Sequence, residues 1–202
     1  MTRKRNRQLR GSHQNIADVL NRASDKAIVA GEQWYPIAHD TAIDTGILAG
    51  YSGDTALKVG AGIIASLSPK TDWDNNVLYA KAIVRHGYAP RQTELNNSKA
   101  LRILEGEEPL NVLGGMKVIP FYLAICHPRG ENPIPVIDRH AGSVYVGRSL
   151  TEKQQSKLSN VAVMNRIQGA YKTTARKEGL HVHCLQATTW VQWRVEKGYA
   201  TI

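Results

Sequence analysis

The chain has 202 residues, of which 42% are hydrophobic and 21% charged, with a formal net charge of +9 and two cysteines. That length can bury a real core, as one globular domain or as two small lobes, without a disulfide or metal to hold it. Cys126 and Cys184 stand far apart with no ligand pattern beside them, so neither a zinc site nor an iron–sulfur cluster is expected, and no cofactor is called for. No apolar run reaches the ~18 residues of a membrane span, and the positive charge favours an anionic partner, nucleic acid before others.

Residues 1–11 read as a basic, disordered arm: Arg3, Lys4, Arg5, Arg7 and Arg10 sit in it, and it lacks the apolar core of a secretory signal, which points to the cytoplasm. Residues 12–30 are expected to form a helix, with Ser12 as its cap and Gly31 as its end, since Ile16, Val19, Leu20, Ala23, Ala27 and Ile28 recur at helical spacing. A second helical stretch covers 34–49. Asp54 or Thr55 then opens a strongly apolar helix over 57–67, ended by Ser68-Pro69, and its Gly60 and Gly62 suggest close neighbours. Residues 73–86 and 96–104 are helical again. Residues 112–126 give a helix end, a Gly114-Gly115 bend and a second helix, and the proline-rich 127–135 is an extended loop. Asp138 caps the next helix, and two or three further helices run through Leu158, Ile167, Tyr171, Leu185, Trp190 and Trp193. Few alternating runs appear, so the fold class is all-α.

Two short stretches carry chemistry. Gly114 and Gly115 let backbone N–H groups approach a phosphate with no Cβ in the way, and Lys117 adds a point charge beside them. Asp138, after the apolar Val136 and Ile137, sets a carboxylate on a partly dry ledge, where it can stabilise a developing positive charge or orient a water. An ordinary structural turn and an ordinary helix cap are the plain alternatives. Arg139 reaches phosphate or pairs with an acid, and His140 buttresses the helix. Trp73, Tyr79, Tyr122 and Trp190 are candidates to stack on a nucleobase, since every base offers a π face, and Gln186 is a candidate polar group to read one. The His181-Val182-His183 cluster is too short to claim a metal.

Three blocks in this order resemble the helix-hairpin-helix DNA glycosylases, the superfamily of endonuclease III and adenine glycosylase. Gly62-Ile63-Ile64-Ala65-Ser66-Leu67-Ser68-Pro69-Lys70-Thr71-Asp72-Trp73 is similar to the family's apolar helix and following loop. Leu95-Asn96-Asn97-Ser98-Lys99-Ala100 is similar to the segment before the hairpin. Leu113-Gly114-Gly115-Met116-Lys117, then Val136-Ile137-Asp138-Arg139-His140, resemble the hairpin and the block with the catalytic Asp. The resemblance implies two helical lobes, a terminal one from 12–56 plus 149–202 and a central one from 57–148 holding both the hairpin and Asp138. It implies double-stranded DNA as partner, with Lys70, Lys99, Gly114, Gly115, Lys117 and Arg139 contacting it. Lys70 takes the place of a residue that probes the opened duplex, filling the space of a flipped base.

The third glycine of the hairpin pattern is Lys117, the lyase lysine's place falls on Ile119, and the family's four-cysteine cluster is absent. The expected activity is therefore a monofunctional glycosylase, with Asp138 assisting hydrolysis of an N-glycosidic bond. A DNA-binding protein that has lost the pocket is the second reading, and a base-modifying relative of the kind found in bacterial viruses is the third.

Overall fold

The computed structural model describes residues 9–131 and 133–201, which hold eleven α-helices, one 3-10 turn and no strand. The helices are α1 (His13–Asn21), α2 (Asp25–Leu48), α3 (Gly53–Leu67), α4 (Trp73–His86), α5 (Glu94–Leu104), α6 (Pro109–Val112), α7 (Val118–Cys126), α8 (Arg139–Val146), α9 (Glu152–Gln155), α10 (Val161–Glu178) and α11 (Val182–Glu196), with the 3-10 turn at Ser156–Ser159. The all-α expectation therefore holds. The chain divides into two compact units, a terminal one of residues 1–34 and 133–202 and a central one of 35–132.

These boundaries differ from the sequence expectation in two segments. Residues 35–56 belong to the central unit, because Gly46 and Ala42 of α2 lie against Ala56 and Gly60 of α3 so closely that an added Cβ would strike backbone carbonyls. Residues 133–148 belong to the terminal unit, because α8 packs on α1, α10 and α11. Asp138 thus stands in the terminal unit rather than with the hairpin. Gly31 does not end a helix either: α2 runs through it, and a Cβ there would meet the backbone of Thr188 at 2.5 Å, so glycine serves a close approach.

In the terminal unit, Ile16, Val19, Val144, Ile167, Tyr171, Leu185 and Trp193 form the core. Ser12 caps α1 as expected, accepting from the Asn15 N–H at 3.2 Å, and its own N–H donates to the Tyr145 carbonyl at 3.1 Å. The arm expectation falls mostly on residues 1–8, outside the described residues; within them, Leu9 is buried and Gly11 lies against Tyr145, whereas Arg10 is exposed.

The hub of the central unit is α3, whose residues 59–67 are all buried and which packs on α4, α5, α6 and α7. Its small residues let neighbours come close: a Cβ on Gly62 would touch Ile103 and Pro109 at 3.0 Å. Asp72 caps α4 through the Asn75 N–H, and Gly87 closes it in the left-handed conformation, at the bounds the sequence suggests.

Candidate functional site

Residues 133–137 lead into α8 without regular secondary structure, and Val136 and Ile137 anchor that approach by burial, which fixes where Asp138 emerges. Asp138 is the N-cap of α8. Its Oδ1 accepts from the backbone N–H of His140 and of Ala141, each at 2.8 Å, and its Oδ2 accepts from the Trp190 indole N–H at 3.0 Å. Three donors from two elements hold the half-exposed carboxylate in one orientation, a tighter constraint than a cap alone supplies.

Rings and cations surround it. The Trp190 ring lies 4.9 Å from that of Trp34 and carries the Arg194 guanidinium 4.3 Å from its centre. His140 meets Trp190 edge-on at 6.3 Å and Tyr199 at 5.2 Å. Arg139 is exposed and its Nε donates to His140 Nε2 at 3.1 Å. Below the site the Tyr171 hydroxyl donates to the Ala141 carbonyl at 3.1 Å; burial pushes this phenol above its ordinary range, and the charge of Asp138 adds to the effect. The arrangement offers an oriented carboxylate with lone-pair capacity left on Oδ2, flanked by aromatic faces and two guanidinium groups.

Gln186 does not join them as a reader of a base, since it is 4% exposed in the body of α11. Tyr122 is likewise a core residue of the central unit at 3% exposed, where burial and the neighbouring Cys126 push its phenol up; the Cys126 thiol is itself pushed up to about 11 by burial. An aromatic residue within an apolar helix packs inward by default, and α7 is apolar around most of its surface.

The remaining candidates lie in the central unit. Gly114 and Gly115 are exposed with open space where a Cβ would be, and Gly115 adopts a φ of +94°, so the bend between α6 and α7 presents bare backbone. Lys117, in the αR conformation before α7, donates from Nζ to the Ser68 carbonyl at 3.4 Å. That contact joins the bend to the turn holding Lys70, which is exposed. Trp73 opens α4 and Lys99 lies on α5, both half-buried.

Trp34, Arg194 and Tyr199 are not singled out by sequence reasoning. The spacing of Trp190 and Arg194, one helical turn apart, is a usable signal; the pairing of Trp34 with Trp190 is not, because it joins distant segments. A separate cavity of about 520 Å³, lined by Pro36, His39, Asp40, His127, Pro128, Arg129 and Gly130, contains none of the residues singled out from sequence. His39 Nδ1 there lies 2.9 Å from the Ile125 carbonyl. No helix among the described residues is long and apolar enough to cross a membrane, and no group of three or more His, Cys, Asp or Glu among them is placed to hold a metal.

No curated protein and no solved structure matches the chain. A sequence model does match, over residues 1–197, and by that match the chain belongs to DUF7178, a family of unknown function.

Proposed function

We propose that this protein binds duplex DNA and hydrolyses the N-glycosidic bond of an extruded base, with Asp138 stabilising the positive charge that develops on the sugar or orienting the attacking water. The observation that carries the reading is the half-exposed Asp138 carboxylate, oriented by three N–H donors beside the Trp34, Trp190 and His140 rings. An extruded base needs faces to stack on, and the rings supply them. The exposed Gly114–Gly115 bend with Lys117 supplies backbone and charge for a phosphate. The net charge of +9 supports a polyanionic partner.

The test is incubation with duplexes carrying altered or mismatched bases, followed by alkaline cleavage of abasic sites. Strand breaks are expected with wild type and a loss of at least about a hundredfold in rate with Asp138→Asn. Equal product from both proteins, or none from wild type on any duplex, rejects the hydrolytic reading.

A second reading is a DNA-binding protein without chemistry, in which Asp138 only caps α8. The bonds from the α8 N–H groups and from Trp190 favour it, because capping α8 and tying it to α11 is by itself a sufficient role for a carboxylate at this place. Duplex binding that survives Asp138→Ala, with no product on any substrate, is its signature.

A further inference from the structure

The chain makes the same unusual choice twice. Lys70 and Arg91 both adopt φ of +60°, the only non-glycine residues among those described with positive φ. Each directly follows a proline, Pro69 and Pro90, in an exposed turn, and the first turn closes with the Thr71 N–H donating to the Ser68 carbonyl at 3.4 Å. Proline followed by a residue of positive φ is the pattern of a type II turn, in which the second place belongs to glycine. A long β-carbon-bearing side chain there is strained, and strain of this kind is retained where the side chain has work to do.

The two turns are also joined. They flank α4, and Gln92 Nε2 donates to Thr71 Oγ1 at 2.8 Å, so the residue after Arg91 is bonded to the residue after Lys70. Asn96 of α5 steadies Gln92 with a bond of 3.0 Å. Lys117 reaches the first turn at the Ser68 carbonyl, which brings the glycine bend alongside. The acids nearest in sequence are engaged locally or part of a helix start: Asp72 accepts from Asn75, and Glu94 stands in the first turn of α5. Lys70 and Arg91 form no ion pair and no side-chain hydrogen bond among the described residues.

We infer that the two turns form a paired cationic clasp, Lys70 with Arg91, for neighbouring phosphates of a duplex DNA strand, so that Arg91 is a DNA-contacting residue outside both the hairpin and the Asp138 block. The inference rests on the DNA-binding reading and extends it to the loop between α4 and α5. A guanidinium suits a phosphate by its forked donors, and the Gln92–Thr71 bond ties together the two turns that carry the cations, so less backbone freedom is lost on binding.

The geometry supplies a clean test. Glycine is the residue the turn prefers, so Arg91→Gly and Lys70→Gly remove the cation without disturbing the fold, and the melting temperature is expected to hold or rise by about 2–4 °C. Binding to a fluorescein-labelled duplex of about 20 base pairs is followed by anisotropy across a series of KCl concentrations. Each glycine variant is expected to weaken binding about three- to tenfold and to lower the slope of log K against log [KCl] by about 0.9, the value of one phosphate contact. Arg91→Lys is expected to keep the slope.

An unchanged slope and affinity in Arg91→Gly, while wild type binds with a steep salt dependence, overturns the clasp and leaves the DNA reading standing. No salt-dependent binding by wild type overturns both. A glycine variant that melts well below wild type also overturns the inference, since the cation would then serve the fold.

Discussion

Asp138 does two things with one carboxylate. It satisfies the first N–H groups of α8, and through Oδ2 it fixes the Trp190 indole against Trp34. Replacing it by alanine removes a cap and strands the indole N–H, so a loss of about 2–3 kcal/mol in urea unfolding is expected. Asp138→Asn keeps a capping oxygen but turns an amide donor or a single acceptor toward the rest, and should cost about half as much. Trp190→Phe separates the roles. It retains most of the ring stacking and the cap but releases Oδ2, so stability should fall by about 1 kcal/mol while any Asp138-dependent hydrolysis falls much further. A rate unchanged in Trp190→Phe would show that orientation by the indole is irrelevant to the chemistry.

At the scale of elements, the glycines of the helices divide into two kinds. Gly60 lies where α3 meets α2 in the central unit, and a Cβ there would fall 1.8 Å from the Ala42 carbonyl oxygen. Gly169, exposed on α10, has open space around it. Gly60→Ala is expected to cost about 3 kcal/mol or more, the upper range for overpacking, whereas Gly169→Ala should stabilise by about 1 kcal/mol through helix propensity. Thermal unfolding of the two variants tests this, and a small effect at Gly60 would show that α2 and α3 can move apart cheaply. Near the end of α11, Glu196 accepts from Arg22, which follows α1, at 2.6 Å, and from Gln192 at 2.9 Å. Burial raises the Glu196 carboxyl, but Arg22 and Gln192 outweigh it and the net shift is downward. A carboxyl depressed in the folded state adds stability above its unfolded value, and that stability fades as pH falls through the folded value. Glu196→Gln should therefore narrow the stability gained between acid and neutral pH, measured by urea midpoints at several pH values; an unaltered profile would remove the ion pair from consideration.

For the whole molecule, the excess of positive charge is a long-range property that no single side chain carries. If the proposed DNA reading holds, the net charge of +9 should make duplex affinity fall steeply with salt, on the order of tenfold or more between about 50 and 200 mM KCl when several phosphates are engaged. A flat dependence would mean that association is not electrostatic. The division into two units places the residues of the proposed functions apart along the chain's organisation. The glycine bend, Lys70, Arg91, Lys99 and Lys117 belong to the central unit, while Asp138, Arg139 and Trp190 belong to the terminal one. On the proposed reading, substitutions in the first group and of Arg139 are expected to act on binding and those of Asp138 and Trp190 on chemistry, a separation that equilibrium and single-turnover measurements can resolve.

What the sequence determined by itself is local. Apolar residues at helical spacing, with Ser12 and Asp138 as caps and Ser68-Pro69 as a stop, specify most helices and several of their ends, because a helix and its cap are settled by residues within a turn or so of one another. Helical periodicity could not say that Gly31 lies inside α2, since that depends on Thr188 from another segment. Nor could it assign 35–56 and 133–148 to their units, join Trp190 to Asp138 across 52 residues, or link the turns of Lys70 and Arg91 through Thr71 and Gln92, 21 residues apart. Each of these is a contact between segments distant along the chain, and which such segments meet is decided by how all the apolar faces are buried together, a condition that only the tertiary structure satisfies.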